Sequence, residues 1–381
     1  MLKSPIEVGD DTGMYMKLLD HRTGKVISMT VEQYLVGVVS AEMPANFQEE
    51  ALKAQAVVAR TYTLYKIINN STKHGEAQIC DNSACCQAWI SKEDRLAKWE
   101  ESERENNWGK IVNAVNATQG KIITYNNEPI NAFFHSNSGG KTEIPINVWG
   151  GSGMPYLQVV ETAGEENYSQ YSSEVTISKE ELKNKMLEKY QDFTIDYNDS
   201  ACIGILEYTE SGRVKTIKIG NKNLSGVEVR TIFGLKSANF EVSIEGENIK
   251  FVVKGYGHGI GMSQTGADSL ASSGSTYEDI IHHFYIGVEI KDMYLGYKFN
   301  NHFFEIGKDA AELLNYLKEN GCDEVAVDTY VESHDGHPSK DDVIEFLEML
   351  SSKIAEGKVS STKKGVFLYR HDLISSEKVR K

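Results

Sequence analysis

Two hydrophobic periods run along this chain, and each predicts its own kind of element. In VEQYLVGVVSAEMP, residues 31–44, apolar side chains recur as Val31, Leu35, Val38 and Val39, the spacing of a helix face turned to a core. The next position on that stripe is Glu42, a carboxylate where an apolar residue is expected, and Pro44 follows at once. A second helix is predicted over about 48–68, alanine-rich with acids in its first turn, where they suit the helix dipole. Before both, MYMKLL and VISMT flank the turn-like DHRTGK and predict a hairpin over 14–30. A second hairpin is predicted from GKIITYN and INAFFHS around NEP, and a third from FEVSIEG and NIKFVVKG. Further helices are expected over 178–190, 225–234 (with a serine cap) and TYEDIIHHFY, and strands at 213–219 and VEIKDMY. The charged run SKEDRLAKWEESERENNW reads as a solvated surface helix. Residues 145–163 read as a glycine-dense loop ending in a strand. Beyond about residue 297 the pattern becomes helix–strand–helix–strand, the signature of a small α/β unit with parallel strands.

Composition narrows the function classes. The 381 residues suffice for two or three domains. A net charge of −15 argues against nucleic acid as a partner, since a phosphate-binding surface carries a basic excess. No run of about eighteen apolar residues and no secretory signal pattern is visible. Three of the five cysteines fall within residues 80–86, which is local chemistry, not a disulfide framework.

Five constellations could carry chemistry. A carboxyl facing an apolar pocket is easier to keep protonated, as a general acid must be, although Glu42 also fits an ordinary helix end before a proline. Lys53 and Arg60, with Gln55 nearby, lie seven apart on one face of the second helix and could line a groove for a hydroxyl-rich or anionic substrate, or be solvated surface. His74, Cys80, Cys85 and Cys86 are zinc-type ligands, but adjacent Cys85 and Cys86 do not easily share one ion, and a Cys80–Cys86 disulfide is the rival. In HSNSGGK, Ser136 and Ser138 would share a strand face, and the stretch is not a Gly-x-Ser-x-Gly elbow. In GYGHGIGMSQTGA, His258 sits between glycines and Gln264 opens a helix, and neither phosphate-loop fingerprint is satisfied.

Taken in order, SAEMP, ALKAQAVVARTY, FFHSNSGGKTE, the WGG…PYL segment and GHGIGMSQTGA resemble the stage II sporulation protein D family, over residues of about 15–294. The resemblance implies a peptidoglycan lytic transglycosylase acting on denuded glycan strands during forespore engulfment, with Glu42 as its single acid/base. It implies an α+β fold, mixed helices and β-hairpins around an active-site groove. Residues 1–297 would form that domain, with a Cys/His-containing insertion over about 70–118, and residues 298–381 the small α/β unit of unknown role. Lys53, Gln55, Arg60, Ser136, Ser138, Tyr156, His258 and Gln264 become expected glycan contacts. Zinc is implied at His74, Cys80, Cys85 and Cys86 in a structural role. Where such members offer a histidine before the last cysteine, this chain has Cys85. The implied partners are glycan strands, an amidase of the stage II sporulation protein P type and membrane-anchored engulfment proteins. The implied place is outside the cytoplasmic membrane, between mother cell and forespore, on an anchor that this chain does not show. The competing expectations are a non-catalytic glycan-binding or amidase-enhancing module, and a zinc hydrolase built on His74 and the cysteines.

Overall fold

The first predicted hairpin is present in the computed structural model as β1 (Tyr15–Leu19) and β2 (Val26–Thr30), paired antiparallel from Tyr15↔Thr30 to Leu19↔Val26. The structure describes residues 15–69, 72–299, 302–305, 358–362 and 365–372. It divides into two units, one of residues up to Ala45, Ala59–Asn131 and Glu289 onward, the other of Asn46–Val58 and Ala132–Val288. The class is mixed α+β, with several small sheets.

In the first unit, helix α1 (Val31–Glu42) starts at a capping box in which Thr30 and Gln33 satisfy each other's backbone amides at 3.2 and 3.1 Å. From Val31 to Ser40 every residue except Gln33 is buried. The apolar stripe is therefore one side of a helix enclosed nearly all round, and burial gives out only at half-buried Ala41 and Glu42. One enclosed residue is Glu32. Its carboxylate holds Arg60 of helix α2 (Glu49–Ile68) in a two-pronged ion pair, Nε to Oε1 at 2.8 Å and Nη2 to Oε2 at 2.7 Å. Arg60 also donates to the Lys121 carbonyl at 3.2 Å and the Val115 carbonyl at 3.4 Å. Its exposure is 0%, so the expectation that Arg60 lines a groove is corrected: the guanidinium is an internal tie.

Strand β3 (Ile79–Cys80) joins β1 in parallel. The charged run does not form one helix. It gives a five-residue helix Lys92–Leu96 and then the helix Arg104–Ala117, which buries Ile111, Val112, Ala114 and Val115. The second predicted hairpin is shorter than expected. Strand Lys121–Tyr125 turns at Asn126 and Asn127, both at positive φ, into the two-residue strand Glu128–Pro129. Phe134–His135 pairs elsewhere, in parallel with Met262–Ser263. Lys121–Tyr125 also pairs with strand Glu289–Phe299, whose later residues pair in parallel with Gly365–Asp372. The expected domain boundary at 297/298 thus falls inside a strand. The two helices and the first strand expected in the tail lie outside the described residues.

In the second unit, the predicted hairpin appears as Phe240–Glu245 and Asn248–Lys254, with an unforeseen third strand, Ser172–Ser178, on its other edge. A second three-stranded sheet runs Lys222–Ser225, Val214–Ile219, Ile203–Tyr208. Helices Lys179–Lys189 and Gly226–Phe233 pack with both sheets around Phe233, Phe240 and Phe251. No helix among the described residues is long and apolar enough to cross a membrane.

Removing one partner of a buried ion pair strands the other charge, so Arg60→Ala is expected to destabilise the chain by about 3–5 kcal/mol in urea unfolding. The paired change Glu32→Leu with Arg60→Met is expected to cost distinctly less in the same measurement.

Candidate active site and metal centre

Glu42 ends α1, just before Met43, whose amide still bonds back to the Val39 carbonyl. Its Oε1 accepts the backbone N–H of Ala88 at 2.7 Å. Next to Ala88, Gln87 is buried and its Nε2 donates to the Tyr34 hydroxyl at 3.1 Å and to Thr63 Oγ1 at 2.9 Å. Burial raises the pKa of Tyr62, and the charges of the Cys86, Cys85 and Cys80 thiols and of Glu42 add to the rise, so this phenol stands in the field of both the carboxyl and the cysteines.

His74, Cys80, Cys85 and Cys86 converge. Their ligand atoms all lie within 4.8 Å of one another. His74 Nε2 is 3.3 Å from Cys86 Sγ and 3.7 Å from Cys85 Sγ, and the two sulfurs are 3.9 Å apart. A tetrahedral zinc with Zn–S of about 2.3 Å and Zn–N of about 2.0 Å sets its sulfurs about 3.8 Å apart and its N–S pairs about 3.5 Å apart, so the residues fit that ion. The difficulty expected of adjacent cysteines is removed by the turn before them. Asn82 accepts the amides of Cys85 and Cys86 at its carbonyl, 3.0 and 2.8 Å, and the amide of Ala84 at its side chain, 2.9 Å, which folds both thiols inward. Cys80 and Cys86 are free thiols here, without the rival disulfide. Burial opposes ionisation of the thiols. At Cys85, hydrogen bonds from Lys73 and the neighbouring thiols outweigh it and lower the pKa, whereas Cys86 is pushed up to about 12. Burial, then Lys73 and Lys66, lowers His74 and keeps its imidazole in the neutral, ligating form.

In the second unit the two glycine-rich motifs meet around residues that no sequence pattern had marked. Glu165, fully buried, receives the Ser138 and Gly140 amides at 2.9 and 3.0 Å, Thr162 Oγ1 at 2.6 Å, Thr265 Oγ1 at 3.1 Å, and the Ser138 and Ser263 hydroxyls. Burial would raise its pKa, but these donors outweigh that and lower it. Ser138 is therefore enclosed and faces Glu165, which corrects its expected place on a groove wall. The chain leaves its strand at His135, so Ser136 and Ser138 do not share a strand face. Buried Arg213 donates to the Ser138 carbonyl at 2.7 Å and the Lys141 carbonyl at 2.9 Å, and burial lowers it only to about 10, so it stays cationic at neutral pH.

The other expected contacts are placed as follows. Gln55 and Gln264 are both buried and meet at 3.3 Å. Half-buried Lys53 is paired with Glu49 and Glu50, each at 2.8 Å. Tyr156 is buried, its hydroxyl 3.2 Å from Met154 Sδ, and Ser136 is half-buried. His258 is half-buried, with Nδ1 accepting the Ile260 amide at 3.0 Å and its ring 5.7 Å from that of His135. Trp149, not singled out from sequence, is 51% exposed, its ring 5.2 Å from His258 and 4.7 Å from Phe133.

A profile of the Stage II sporulation protein family matches residues 19–125, the stretch that holds Glu42 and the cysteine cluster. Stage II sporulation protein D of Bacillus subtilis is 37% identical over 269 residues, covering 70% of this chain and 76% of that protein. The chain belongs to the stage II sporulation protein D family. The protein of the same name from Bacillus amyloliquefaciens is also 37% identical over 269 residues. Membership places the chain in sporulation. The amidase enhancer of Bacillus subtilis is more distant, 29% identical over 309 residues that cover 67% of this chain and 40% of that protein.

The residues missed from sequence, Glu32, Glu165 and Arg213, are buried charges. The density of hydroxyls in SNS and MSQT was the available signal for Glu165, since buried hydroxyls need an acceptor.

Burial, then the charge of Arg213, lowers the pKa of His135 to about 3, while an unfolded histidine titrates near 6.5. The unfolded state therefore takes up the proton first. This contribution to stability is complete above pH 6.5 and is lost as the pH falls towards 3. Urea unfolding at a series of pH values is expected to show that loss, and His135→Gln to flatten it.

Proposed function

We propose that the chain is a peptidoglycan lytic transglycosylase with Glu42 as its one acid/base group. The observation that carries this reading is the placement of Glu42, at the end of a buried helix, half-buried, with one carboxyl oxygen held by the Ala88 amide. A carboxyl so fixed can protonate the glycosidic oxygen between N-acetylmuramic acid and N-acetylglucosamine. As the bond breaks, the carboxylate takes the proton of the muramic C6 hydroxyl, and that oxygen closes on the anomeric carbon. The product carries a 1,6-anhydro end, no water is consumed, and Glu42 finishes as it began. A glycosidase that uses a carboxyl pair needs the second group about 5–9.5 Å away. Among the described residues, the buried carboxylates Glu32, Asp81, Glu143, Glu165 and Asp268 are each engaged in internal bonds and are not candidates for that role. Lys53, Ser136 and His258 keep their reading as glycan contacts, and the open indole of Trp149 offers a face of the kind on which a sugar ring stacks. The substrate would be denuded glycan outside the cytoplasmic membrane, at the forespore boundary, exposed by a partner amidase.

His74, Cys80, Cys85 and Cys86 would hold zinc, which supplies a rigid four-way crosslink and no step of the reaction. A second reading, a glycan-binding or amidase-enhancing module, draws on the similarity to the amidase enhancer.

Mass spectrometry of products from purified denuded glycan separates the two readings. Wild type is expected to give anhydro ends, one water lighter than reducing ends, and Glu42→Gln to reduce them at least about a thousandfold while glycan binding persists. Glycan binding with no anhydro product from wild type supports the module instead. For the metal, one zinc per chain is expected by elemental analysis, with Cys86→Ser losing it. Chelation is expected to lower the thermal midpoint by about 2–4 °C or more, the equivalent of at least about 1 kcal/mol.

A further inference from the structure

The segment that follows the cysteine cluster is a strap laid across α1. Gln87 ties it to Tyr34 and Thr63, the Ala88 amide reaches Glu42, and the Ile90 amide reaches the Gly37 carbonyl at 3.4 Å. Between these contacts, Trp89 sits against Gly37. A Cβ at Gly37 would lie 2.8 Å from Trp89 Cε2 and closer still to Nε1 and Cδ1. Gly37 lies in the interior of a helix, where alanine is the better helix former, and its backbone conformation does not call for glycine. The indole suffices to explain the missing side chain. Trp89 Nε1 is itself buried with no hydrogen-bond partner among the described residues. Buried indole N–H groups ordinarily find an acceptor, so shape, not polar pairing, places this ring.

We infer that Trp89, wedged at Gly37, is a positioning residue for Glu42: it presses the strap onto α1 so that the Ala88 amide meets the carboxyl and fixes its orientation. The wedge acts at a distance from the chemistry. It orients the acid, and the inference rests on the reading of Glu42 given above. Any substitution that lifts the ring withdraws the amide, and the carboxyl loses that hold on its orientation towards the scissile oxygen. Productive geometry is lost without loss of substrate affinity.

The test combines single and double variants with two readouts, turnover on denuded glycan and hydrogen exchange of the Ala88 amide. Gly37→Ala and Trp89→Ala are each expected to lower kcat about tenfold or more with KM within about twofold, and to speed Ala88 exchange about tenfold or more. Trp89→Phe, which keeps a ring in the notch, is expected to retain most of both, and it serves if Trp89→Ala fails to fold. Adding Gly37→Ala to Trp89→Ala is expected to cost nothing more, since the clash is gone. Glu42→Gln keeps an acceptor oxygen, so its Ala88 amide stays protected while turnover vanishes; Glu42→Ala loses both. A Gly37→Ala protein with normal kcat, a slowed one with normal Ala88 exchange, or additive losses in the double variant overturns the inference. If wild type yields no anhydro product, the proposed function falls by itself, and the exchange comparison still decides whether the strap holds the carboxyl.

Discussion

The first unit is organised by a guanidinium and a carboxylate that have left water together. Stripping water from each costs several kcal/mol, and only close two-pronged geometry with additional hydrogen bonds offsets that. Arg60 has both: Glu32 on Nε and Nη2, the Lys121 carbonyl on Nη1, and the Val115 carbonyl sharing Nη2. Four segments are consequently placed by one side chain, namely α1, α2, the helix Arg104–Ala117 and the strand that begins at Lys121. Glu42 lies ten residues beyond Glu32 on α1, about 15 Å along the axis at the usual helical rise. The ion pair therefore sets how α1 is rotated, and that rotation decides where its last turn presents the carboxyl.

The second unit solves a related problem without a direct ion pair. Glu165 keeps its charge in the interior because amides and hydroxyls from three stretches of chain point at it. Glu143 is satisfied in the same way by Thr209 and Ser211, each at 2.7 Å, with Arg213 alongside at 2.9 Å from the Ser211 hydroxyl. The glycines of the joint serve close approach. Gly139 packs against the Lys254 backbone, and a side chain on Gly259 would run into the Arg213 guanidinium. The motif residues that look most like substrate contacts are thus partly the mortar between two loops.

Helix α1 was legible from its apolar period and Gly226–Phe233 from its serine cap. What periodicity could not reveal was enclosure on every face. A stripe through Val31, Leu35 and Val38 is the same string of letters whether the far side meets water or another helix, so nothing in it singles out Glu32. Arg60 passed for a groove residue for the same reason. Short strands failed for another: Phe134–His135 and Met262–Ser263 are two residues each, too brief for alternation to register, and their pairing spans 128 positions from Phe134 to Met262. Of the expected site, the convergence of His74, Cys80, Cys85 and Cys86 was legible because these residues lie close together in sequence. The wedge at Gly37 was not, because it depends on a tryptophan fifty-two positions away.

Strand Glu289–Phe299 serves three neighbours, and its last four residues also pair antiparallel with His302–Glu305. Glu289–Asp292 bond to Lys121–Thr124, and Met293–Lys298 bond to the stretch Val366–Asp372. The shift in composition near residue 297 invites a truncation there for a shorter expression product. Such a cut would sever the strand two residues before its last paired position, Phe299, and remove both later neighbours, His302–Glu305 and Val366–Asp372, altogether. The remnant from Met293 onward would present bare amides and carbonyls along that side, an open seam of the sort through which chains zip onto one another and precipitate.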